Sequence, residues 1–384
     1  MSRLSELIRD LCPDGVEYRA LGRVAALERG TPITKKQIGI GDIPVIAGGR
    51  EPAYSHNVAN REGETLVVAG SGAYAGYVSY WDRPVFVSGA FSIKVDGTVL
   101  LPRFVYHWMA GSQNKIHSFK SGGGVPHVYA KDVAKLLCPI PPLEVQREIV
   151  RVLDQFTALE AELEAELEAR RKQYEYYRGQ LMRESSAGDV AFKTLEELFV
   201  TRNGYTPRKN DASAWESSDV PWFRMEDIRE NGGILSESQT YVSSSAVKGG
   251  GVFPANSILV ATSATIGAHA LITVPHLSNQ RFTSLQLKEE YRGAFDRKFL
   301  YYYCFLLDEH CLKNAHVSSF ASVEMKAFKS FKFPVVPLEV QWEIVRVLDQ
   351  FTTLEAELEA ELEARRKQYE HYRDRLLSFS ERGI

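Results

Sequence analysis

Few residues in this sequence have the type and spacing that chemistry would need. The run GSGAYAG at 70–76 follows an apolar stretch, as a nucleotide-binding loop does, but its glycines are spaced G-x-G-x-x-x-G instead of G-x-G-x-x-G. The similar run TSATIGA at 262–268 keeps one glycine. We therefore interpret both runs as tight turns in which the backbone approaches its neighbours closely.

Metal, nucleophilic and methyl-transfer chemistry find no support in the sequence. The four cysteines form no CxxC pair, and none of the nine histidines stands at a zinc-like spacing from another ligand. The sequence has neither a GxxxxGK[ST] phosphate loop nor an NPPY or DPPY methyltransferase motif. His127, His269 and His276 are scattered, and we interpret them as core or surface residues. We predict that the chain has no catalytic residue, no metal and no cofactor of its own.

One structural part occurs twice in the chain. Residues 142–178 and 337–373 are identical at 34 of 37 positions. Apolar residues recur at spacings of three and four, and neither Gly nor Pro occurs from Leu143 to Arg178, which predicts a helix of about 40 residues, roughly 60 Å long, in each copy. The residues predicted to pack along these helices are Ile149, Val152, Phe156, Leu159, Leu163, Leu167, Ile344, Val347, Phe351, Leu354, Leu358 and Leu362.

The partner that we favour for each apolar stripe is the other copy. Folding of each helix onto its own domain and homodimerisation through the helices are the alternatives. Because a whole domain separates the two copies, short connections would make the two helices antiparallel.

The segments outside the helices are similar in size and only faintly similar in sequence. DIPVI at 42–46 aligns with DVPWF at 219–223, and VVAGSGAYAG at 67–76 aligns with LVATSATIGA at 259–268. Short runs of Val, Ile, Phe and Tyr broken by Gly, Pro and Asn predict mixed β-sheet with a few helices. The predicted parts are a first domain at 1–142, a helix at 143–182, a second domain at 183–337, and a second helix with a tail at 338–384.

Composition narrows the class of protein. The 384 residues carry a net charge of −3, although residues 1–142 hold 16 Lys and Arg against 12 Asp and Glu. This balance is weak support for nucleic-acid binding. No apolar run approaches the roughly 20 residues of a membrane span, so we expect a soluble, cytoplasmic protein without a membrane partner.

The arrangement resembles the specificity subunit of a type I restriction–modification system. The helix openings PPLEVQREI at 141–149 and VPLEVQWEI at 336–344 match that family, as do RGTP at 29–32 and GYTP at 204–207. The resemblance implies an α+β fold with a pseudo-twofold internal repeat. Two mixed α/β target recognition domains would be joined by two long antiparallel helices that form a coiled-coil spacer.

The resemblance also implies a function. The chain would be a non-catalytic DNA-binding subunit that reads a split, asymmetric target in double-stranded DNA. It would direct two adenine-N6 methyltransferase subunits, which use S-adenosylmethionine, and restriction subunits with translocase and nuclease activity to that target. A coiled-coil adaptor without DNA, and a specificity subunit of a differently organised restriction or phage-defence system, are the alternatives.

Candidate site residues follow from what DNA recognition needs. Arg, Lys and polar side chains on loops can contact base edges and phosphates. The predicted DNA-binding residues are Lys35, Lys36, Arg50, Tyr54, Ser71, Tyr74, Lys120, Tyr205, Arg208, Lys209, Arg224, Lys248, Ser263 and Arg281. The helix starts and aromatic helix ends are predicted to bind the methyltransferase subunits through Arg147, Tyr174, Tyr177, Trp342, Tyr369 and Tyr372.

Overall fold

A computed structural model describes residues 3–34, 41–122, 124–316 and 321–382. The chain forms two compact units. Unit 1 contains Met1–Glu166 and Leu358–Ile384, and unit 2 contains Leu167–Glu357. Within the described ranges, no helix is both long enough and apolar enough to span a membrane.

Unit 1 is built from short strands and a few helices, and it ends in the first half of a long helix. Its elements are α1 (Arg3–Leu11), β1 (Glu17–Ala20), β2 (Ala25–Arg29), β3 (Ile43–Ile46), β4 (Tyr54–His56), β5 (Thr65–Ala69), β6 (Val78–Trp81), β7 (Phe86–Val87), β8 (Ala90–Val95), α2 (Pro102–Gly111), α3 (Gln113–Ser118), α4 (Ala130–Val133), β9 (Leu137–Ile140) and α5 (Leu143–Glu184).

Three sheets organise this unit. The largest has the strand order β2-β8-β5-β6, a second has the order β4-β3-β7 with β3 parallel to β7, and the third is the antiparallel pair β1-β9. All five residues of this central strand, β5, are buried, and all but Thr65 are apolar. We call the segment that β1 and β9 enclose, residues 17–140, module 1.

Unit 2 begins in the second half of α5. Its further elements are β10 (Ala191–Thr194), α6 (Leu195–Leu198), β11 (Phe199–Asn203), β12 (Val220–Phe223), α7 (Met225–Asn231), β13 (Ile234–Leu235), β14 (Tyr241–Val242), β15 (Ser257–Ala261), β16 (His269–Ile272), β17 (Leu277–Ser278), β18 (Phe282–Leu287), α8 (Arg297–Lys313), β19 (Ala315–His316), β20 (Ser322–Val323), α9 (Met325–Ser330), β21 (Lys332–Val335) and α10 (Leu338–Leu376).

Unit 2 repeats the topology of unit 1. The order β11-β18-β15-β16 corresponds to β2-β8-β5-β6, and β13 extends this sheet by one strand. The order β14-β12-β17, with β12 parallel to β17, corresponds to β4-β3-β7. The pair β10-β21 corresponds to β1-β9 and encloses residues 191–335, which we call module 2. The predicted α+β fold with an internal repeat is confirmed.

The long helices α5 and α10 have 42 and 39 residues, and each contributes one half to either unit. In unit 1, Phe156 stacks on Tyr372 with ring centroids 5.3 Å apart, and Glu160 one turn later binds Arg366 at 2.7 Å. Since the α10 partner moves backwards as α5 advances, the helices pair antiparallel. Unit 2 shows the matching stack of Phe351 on Tyr177 at 5.7 Å.

The first turns of both helices pack onto the core of their own unit. Ile149 and Leu153 of α5 belong to the main apolar core of unit 1, and Ile344 and Leu348 of α10 belong to that of unit 2. The helix stripes therefore have two partners in succession. Their first turns meet a module, and their later turns meet the other helix.

Candidate nucleic-acid interface

A glycine directly follows the first strand of the large sheet in each module. Gly30 follows β2, and an added Cβ would overlap the carbonyl oxygen of Val87 in β7. Gly204 follows β11, and its Cβ would overlap the carbonyl oxygen of Asn279, just after β17. The glycines of RGTP and GYTP are therefore required by the same close approach of backbone to backbone.

Three loops converge at one end of the large sheet in module 1. An added Cβ on Gly48, after β3, would lie 2.6 Å from the Ser71 carbonyl oxygen, so this loop lies directly against the loop after β5. Ser71 forms an isolated β-bridge with His127, which adds the loop before α4. The backbone N–H of Gly72 also donates to the carbonyl of Pro126 at 3.0 Å. This end of the sheet gathers residues that are far apart in sequence.

Each of the two predicted turns has one residue in the left-handed backbone conformation, and the two residues occupy the same position in the aligned runs. Gly72 has φ +90° and Ala264 has φ +65°. In module 2, the Ala264 N–H donates to the carbonyl of Ala321 at 2.9 Å. The alanine thus adopts a conformation that glycine adopts at lower cost, because loop contacts hold it there.

Arg50 and Tyr74 form an exposed cationic and aromatic cluster on the converging loops of module 1. The Arg50 guanidinium lies 5.1 Å from the Tyr74 ring centroid and 5.7 Å from that of Tyr77. Burial, and then the positive charges of Lys120 and Arg50, lower the pKa of His117 beside them. The cluster gathers positive charge next to flat rings, an arrangement that suits a nucleic-acid strand.

The remaining predicted residues of module 1 occupy different places. Ser71 lies on the converging loops, and Tyr54 begins β4 with 42% of its surface exposed. Lys35 and Lys36 lie outside the described residues. The structure therefore brings Arg50, Ser71 and Tyr74 to adjoining loops.

Tyr205 and Lys248 of module 2 contact each other. The Lys248 Nζ lies 4.2 Å from the Tyr205 ring centroid, and the Lys248 backbone N–H donates to the Tyr205 hydroxyl at 3.1 Å. That hydroxyl donates to the carbonyl of Ala246 at 3.0 Å. Tyr205 also packs beside Trp222 and Val242, so its ring is part of a small apolar core. Its aromatic character alone gave no sign of this structural use.

The other predicted residues of module 2 lie at loop positions. Arg208, Lys209 and Arg281 are exposed, and Ser263 forms an isolated bridge with Ser322. Arg224 is half-buried, with its guanidinium 5.9 Å from the Trp222 ring centroid.

Corresponding places at the loop ends of the two sheets carry different side chains. Arg29 and Phe91 are a register pair in module 1, and the corresponding pair in module 2 is Asn203 and Thr283. The correspondence follows from the strands, because β8 pairs with β2 and β5 as β18 pairs with β11 and β15.

A third place differs in the same way. Gly70 directly follows β5, and Thr262 directly follows β15. The Thr262 and Thr283 hydroxyls are 2.9 Å apart, and the Thr283 hydroxyl donates to the Asn203 side-chain oxygen at 3.0 Å. At this place module 1 has a glycine, whereas module 2 has a threonine whose hydroxyl belongs to a polar network.

By contrast, one glutamine ties each long helix to its module in the same way. Gln146 is fully buried, and its side chain accepts from the Leu101 N–H at 2.8 Å and donates to the carbonyls of Val99 and Pro141 at 2.9 and 2.8 Å. Gln341 makes the same three bonds in unit 2, with lengths of 2.8, 2.9 and 2.8 Å. The sequence analysis missed both residues, although each lies in the repeated PLEVQ run.

Eight residues after each of these glutamines, an aspartate has different partners in the two units. Asp154 accepts from Arg103 at 2.7 Å and from His107 Nε2 at 2.8 Å, and His107 Nδ1 is 2.9 Å from the Tyr369 hydroxyl. Burial would raise the pKa of Asp154, but the hydrogen bonds from His107 and Arg103 outweigh it, so the pKa is lowered. Burial lowers the pKa of His107.

In unit 2 the corresponding aspartate is Asp349. It accepts from Lys298 at 2.6 Å and from the Tyr302 hydroxyl at 2.7 Å. Burial and this hydrogen bond raise the pKa of Tyr302. Both units thus use an aspartate on the long helix, but its partner is His107 in unit 1 and Tyr302 in unit 2.

The predicted helix-packing residues differ in burial. Leu167 and Leu362 are each 7% exposed, whereas Leu354 is 37% exposed. The other members of the set that lie beyond the helix starts are half-buried: Val152, Phe156, Leu159, Leu163, Val347, Phe351 and Leu358.

The residues predicted to bind partner subunits separate into two groups. Arg147 is exposed, and Trp342 is 52% exposed. The four tyrosines are engaged inside the units: Tyr174 and Tyr177 contact Phe351, Tyr369 bonds His107, and Tyr372 stacks on Phe156. Tyr177 and Tyr372 still expose 40% of their surface.

His269 and His276 of module 2 are buried core residues. His269 Nδ1 lies 2.6 Å from an Asp308 carboxylate oxygen, and Nε2 lies 2.9 Å from the Tyr301 carbonyl. Burial lowers the pKa of His276 to about 4. Within the described ranges, no three His, Cys, Asp or Glu residues come together as a metal site.

The known proteins that this chain resembles all belong to one family. Residues 13–169 and 188–364 match the family described as type I restriction modification DNA specificity domain. The chain is 32% identical to the specificity subunit of type I restriction enzyme EcoR124I/EcoR124II of Escherichia coli, over 99% of this chain and 98% of the relative. It is 58% identical to the EcoprrI specificity subunit of the same species, over 50% of this chain and 51% of that relative.

Solved structures show the same fold at low sequence identity. The S subunit of a type I restriction-modification system from M. genitalium matches with a TM-score of 0.59 and 16% identity, over 94% of this chain and 96% of that chain. A chain from a structure of complex assembly and conformational transition in the type I R-M system matches with a TM-score of 0.60 and 19% identity, over 95% and 98% of the two chains.

Proposed function

The chain belongs to the type I restriction modification DNA specificity family, and we propose that each of its modules reads one half of a split, asymmetric DNA target. As a member of that family, the chain recognises DNA. The further step that we propose is the division of the target, in which each module contacts one half-site.

One observation carries this proposal. Both modules have the same strand order and the same glutamine anchors, yet the exposed Arg29 and the neighbouring Gly70 at the loop end of one sheet correspond to the exposed Asn203 and to Thr262 at the other. Base edges are distinguished by the donors, acceptors and apolar groups that face them. Two surfaces that share a scaffold but present different groups should therefore recognise different bases.

We further propose that the chain directs other subunits and catalyses nothing itself. In this proposal, two adenine-N6 methyltransferase subunits, which bind S-adenosylmethionine, and restriction subunits assemble with it on double-stranded DNA. The repeated helix surfaces support two similar attachment sites, because exposed positions such as Glu144 and Glu339 recur in both copies. The predicted DNA contacts of Arg50, Tyr74 and the other loop residues belong to this proposal.

Mapping of methylated adenines tests the proposal. A host without its own adenine methylation would express the chain with the methyltransferase from the same source. We expect one motif with two unlike specific parts separated by an unread gap, and we expect no methylation when this chain is omitted. A continuous palindromic motif, or the same motif in the absence of the chain, would contradict the proposal.

A further inference from the structure

A cavity of about 370 Å³ opens in unit 1 at the loop ends of β5 and β8, beside the first turn of α4. Its wall includes Arg29, Gly70, Phe91, Tyr129 and Lys131. Small-molecule sites occupy about 300–1,000 Å³, so a cavity of this size admits one nucleotide.

A glycine at a close approach of two backbone segments lines the cavity. An added Cβ on Gly70 would lie 2.9 Å from the carbonyl oxygen of Gly89, closer than real side chains come to backbone. In module 2, Thr262 stands at the corresponding place, and its hydroxyl is part of the network with Thr283 and Asn203. A threonine side chain in a polar network therefore stands in module 2 at the place where a glycine lines the cavity of module 1.

A flat ring lies at the rim of the cavity. Tyr129 is 49% exposed, and its ring is within 14° of parallel to the His127 ring, at a centroid distance of 6.1 Å. Lys131 Nζ lies 5.6 Å from the centroid of the Tyr129 ring. A half-exposed aromatic ring that already stacks on another ring beside a cation can extend that stack with a nucleobase.

The charges around the cavity favour an anion. Arg29 and Lys131 are both exposed, and neither forms an ion pair with any residue that the structure describes. Among the residues that the structure describes, no Asp or Glu lines the cavity. Two uncompensated cations suit a phosphate group, which both guanidinium and ammonium groups bind well.

We propose that this cavity is a binding site for a single nucleotide, whose base stacks on Tyr129 while Arg29 and Lys131 contact its phosphate. The nucleotide can come from two sources, a nucleotide extruded from bound DNA or a free mononucleotide. The first source rests on the proposed function, since it requires DNA to lie on module 1. The second source does not.

The first experiment measures DNA binding by the chain in complex with its methyltransferase. Duplexes of the mapped target would carry one mismatch at a time through the first half-site, because a mismatch reduces the cost of extruding a base. Tyr129→Ala removes the stacking ring, and Tyr129→Phe is the matched control that keeps it. The Tyr129 side chain makes no hydrogen bond to the described residues, so both variants should fold.

We expect one position where the mismatch strengthens binding by about tenfold in the wild type and in Tyr129→Phe, but not in Tyr129→Ala. Adenine extrusion by the methyltransferase itself would give a gain that persists in all three proteins. A gain that is equal in all three at every position would overturn the DNA source.

The second experiment titrates the same complex, without DNA, with each of the four deoxynucleoside 5′-monophosphates. Binding that weakens about tenfold or more in Tyr129→Ala and persists in Tyr129→Phe would support a free nucleotide as the ligand. If neither experiment gives a Tyr129-dependent signal, the nucleotide site is refuted. If instead no split target is ever methylated, the proposed function fails, and this titration still tests the cavity.

Discussion

The hydrogen bonds that attach each long helix are nearly the same in the two modules, whereas the residues at the loop ends of the sheets are different. Gln146 and Gln341 make the same three hydrogen bonds, at lengths that agree within 0.1 Å. At the loop ends, Gly70 borders a cavity where Thr262 joins a hydrogen-bond network.

The reason for this difference is physical. A buried glutamine satisfies backbone groups that have no other partner, so its position tolerates little change. An exposed loop residue needs no partner within the protein, and it can vary with the ligand that it contacts. The comparison teaches that the modules share what the fold requires and differ where a ligand would bind.

The largest expected effect comes from the glycines that the fold requires in both modules. Gly30→Ala and Gly204→Ala would each drive a Cβ into a backbone carbonyl, and each should destabilise its unit by about 3 kcal/mol. Chemical denaturation of the single variants measures this cost. Gly97→Ala is the control, because its Cβ would meet no atom within 4 Å. A tolerated Gly204→Ala beside a damaging Gly30→Ala would break the equivalence of the modules.

The glutamine anchors should give the next largest effect. Gln146→Leu and Gln341→Leu would each leave one backbone N–H and two carbonyls buried without a partner, at a cost of about 2–3 kcal/mol. The exposed Gln350→Leu on α10 is the control and should change stability by less than about 0.5 kcal/mol. Unequal costs at Gln146 and Gln341 would show that the two helix attachments are not alike.

Arg50→Ala should affect one half-site only. Loss of a base contact costs about 1–3 kcal/mol, so binding should weaken and recognition of the first half-site should relax, while the second half-site stays unchanged. Arg83→Ala is the matched control, because Arg83 also lies over an aromatic ring, Trp81, but at the opposite end of β6 from Tyr74. Equal losses in both variants would remove Arg50 from the interface.

The smallest expected effect is a difference in pH dependence between the two aspartate anchors. Because burial lowers the pKa of folded His107 below the ordinary value of about 6.5, the unfolded chain binds more protons as the pH falls. Stability from neutral His107 is complete above that ordinary value and is lost on acidification. The neighbouring cations Arg103 and Arg373 act in the same direction.

His107→Gln removes this titration and retains groups that can bond Asp154 and Tyr369. From about pH 7 to about pH 5, the wild type should lose more unfolding free energy than His107→Gln. Tyr302→Phe should leave the pH dependence over this range as in the wild type, because Tyr302 does not titrate there. A wild type and His107→Gln that respond equally to acid would contradict the assignment of neutral His107.

The repeated elements of the fold could be predicted from the sequence because their pattern is local. The apolar spacing and the lack of Gly and Pro predicted α5 and α10, and DIPVI and DVPWF both contain strands. The RGTP and GYTP glycines were also recognisable. Each of these signals lies within a few consecutive residues.

The candidate site was less predictable because its residues meet only after folding. Tyr205 has the same residue type as Tyr74, yet it packs in an apolar core while Tyr74 is 45% exposed. Tyr129 and Lys131 were not selected, since backbone pairing formed on folding, such as the bridge between Ser71 and His127, brings them to the other loops. A basic residue beside an aromatic one at 129–131 was the available signal.

An exchange of modules tests the central claim most directly. Residues 21–136 would be replaced by residues 195–331, with the joins at the matching register pairs Ala20 with Leu137 and Thr194 with Lys332. If each module reads its own half-site, this chain and its methyltransferase should methylate a symmetric split target made of two copies of the second half-site. Continued methylation of the original first half-site by a folded, active chimera would contradict the account.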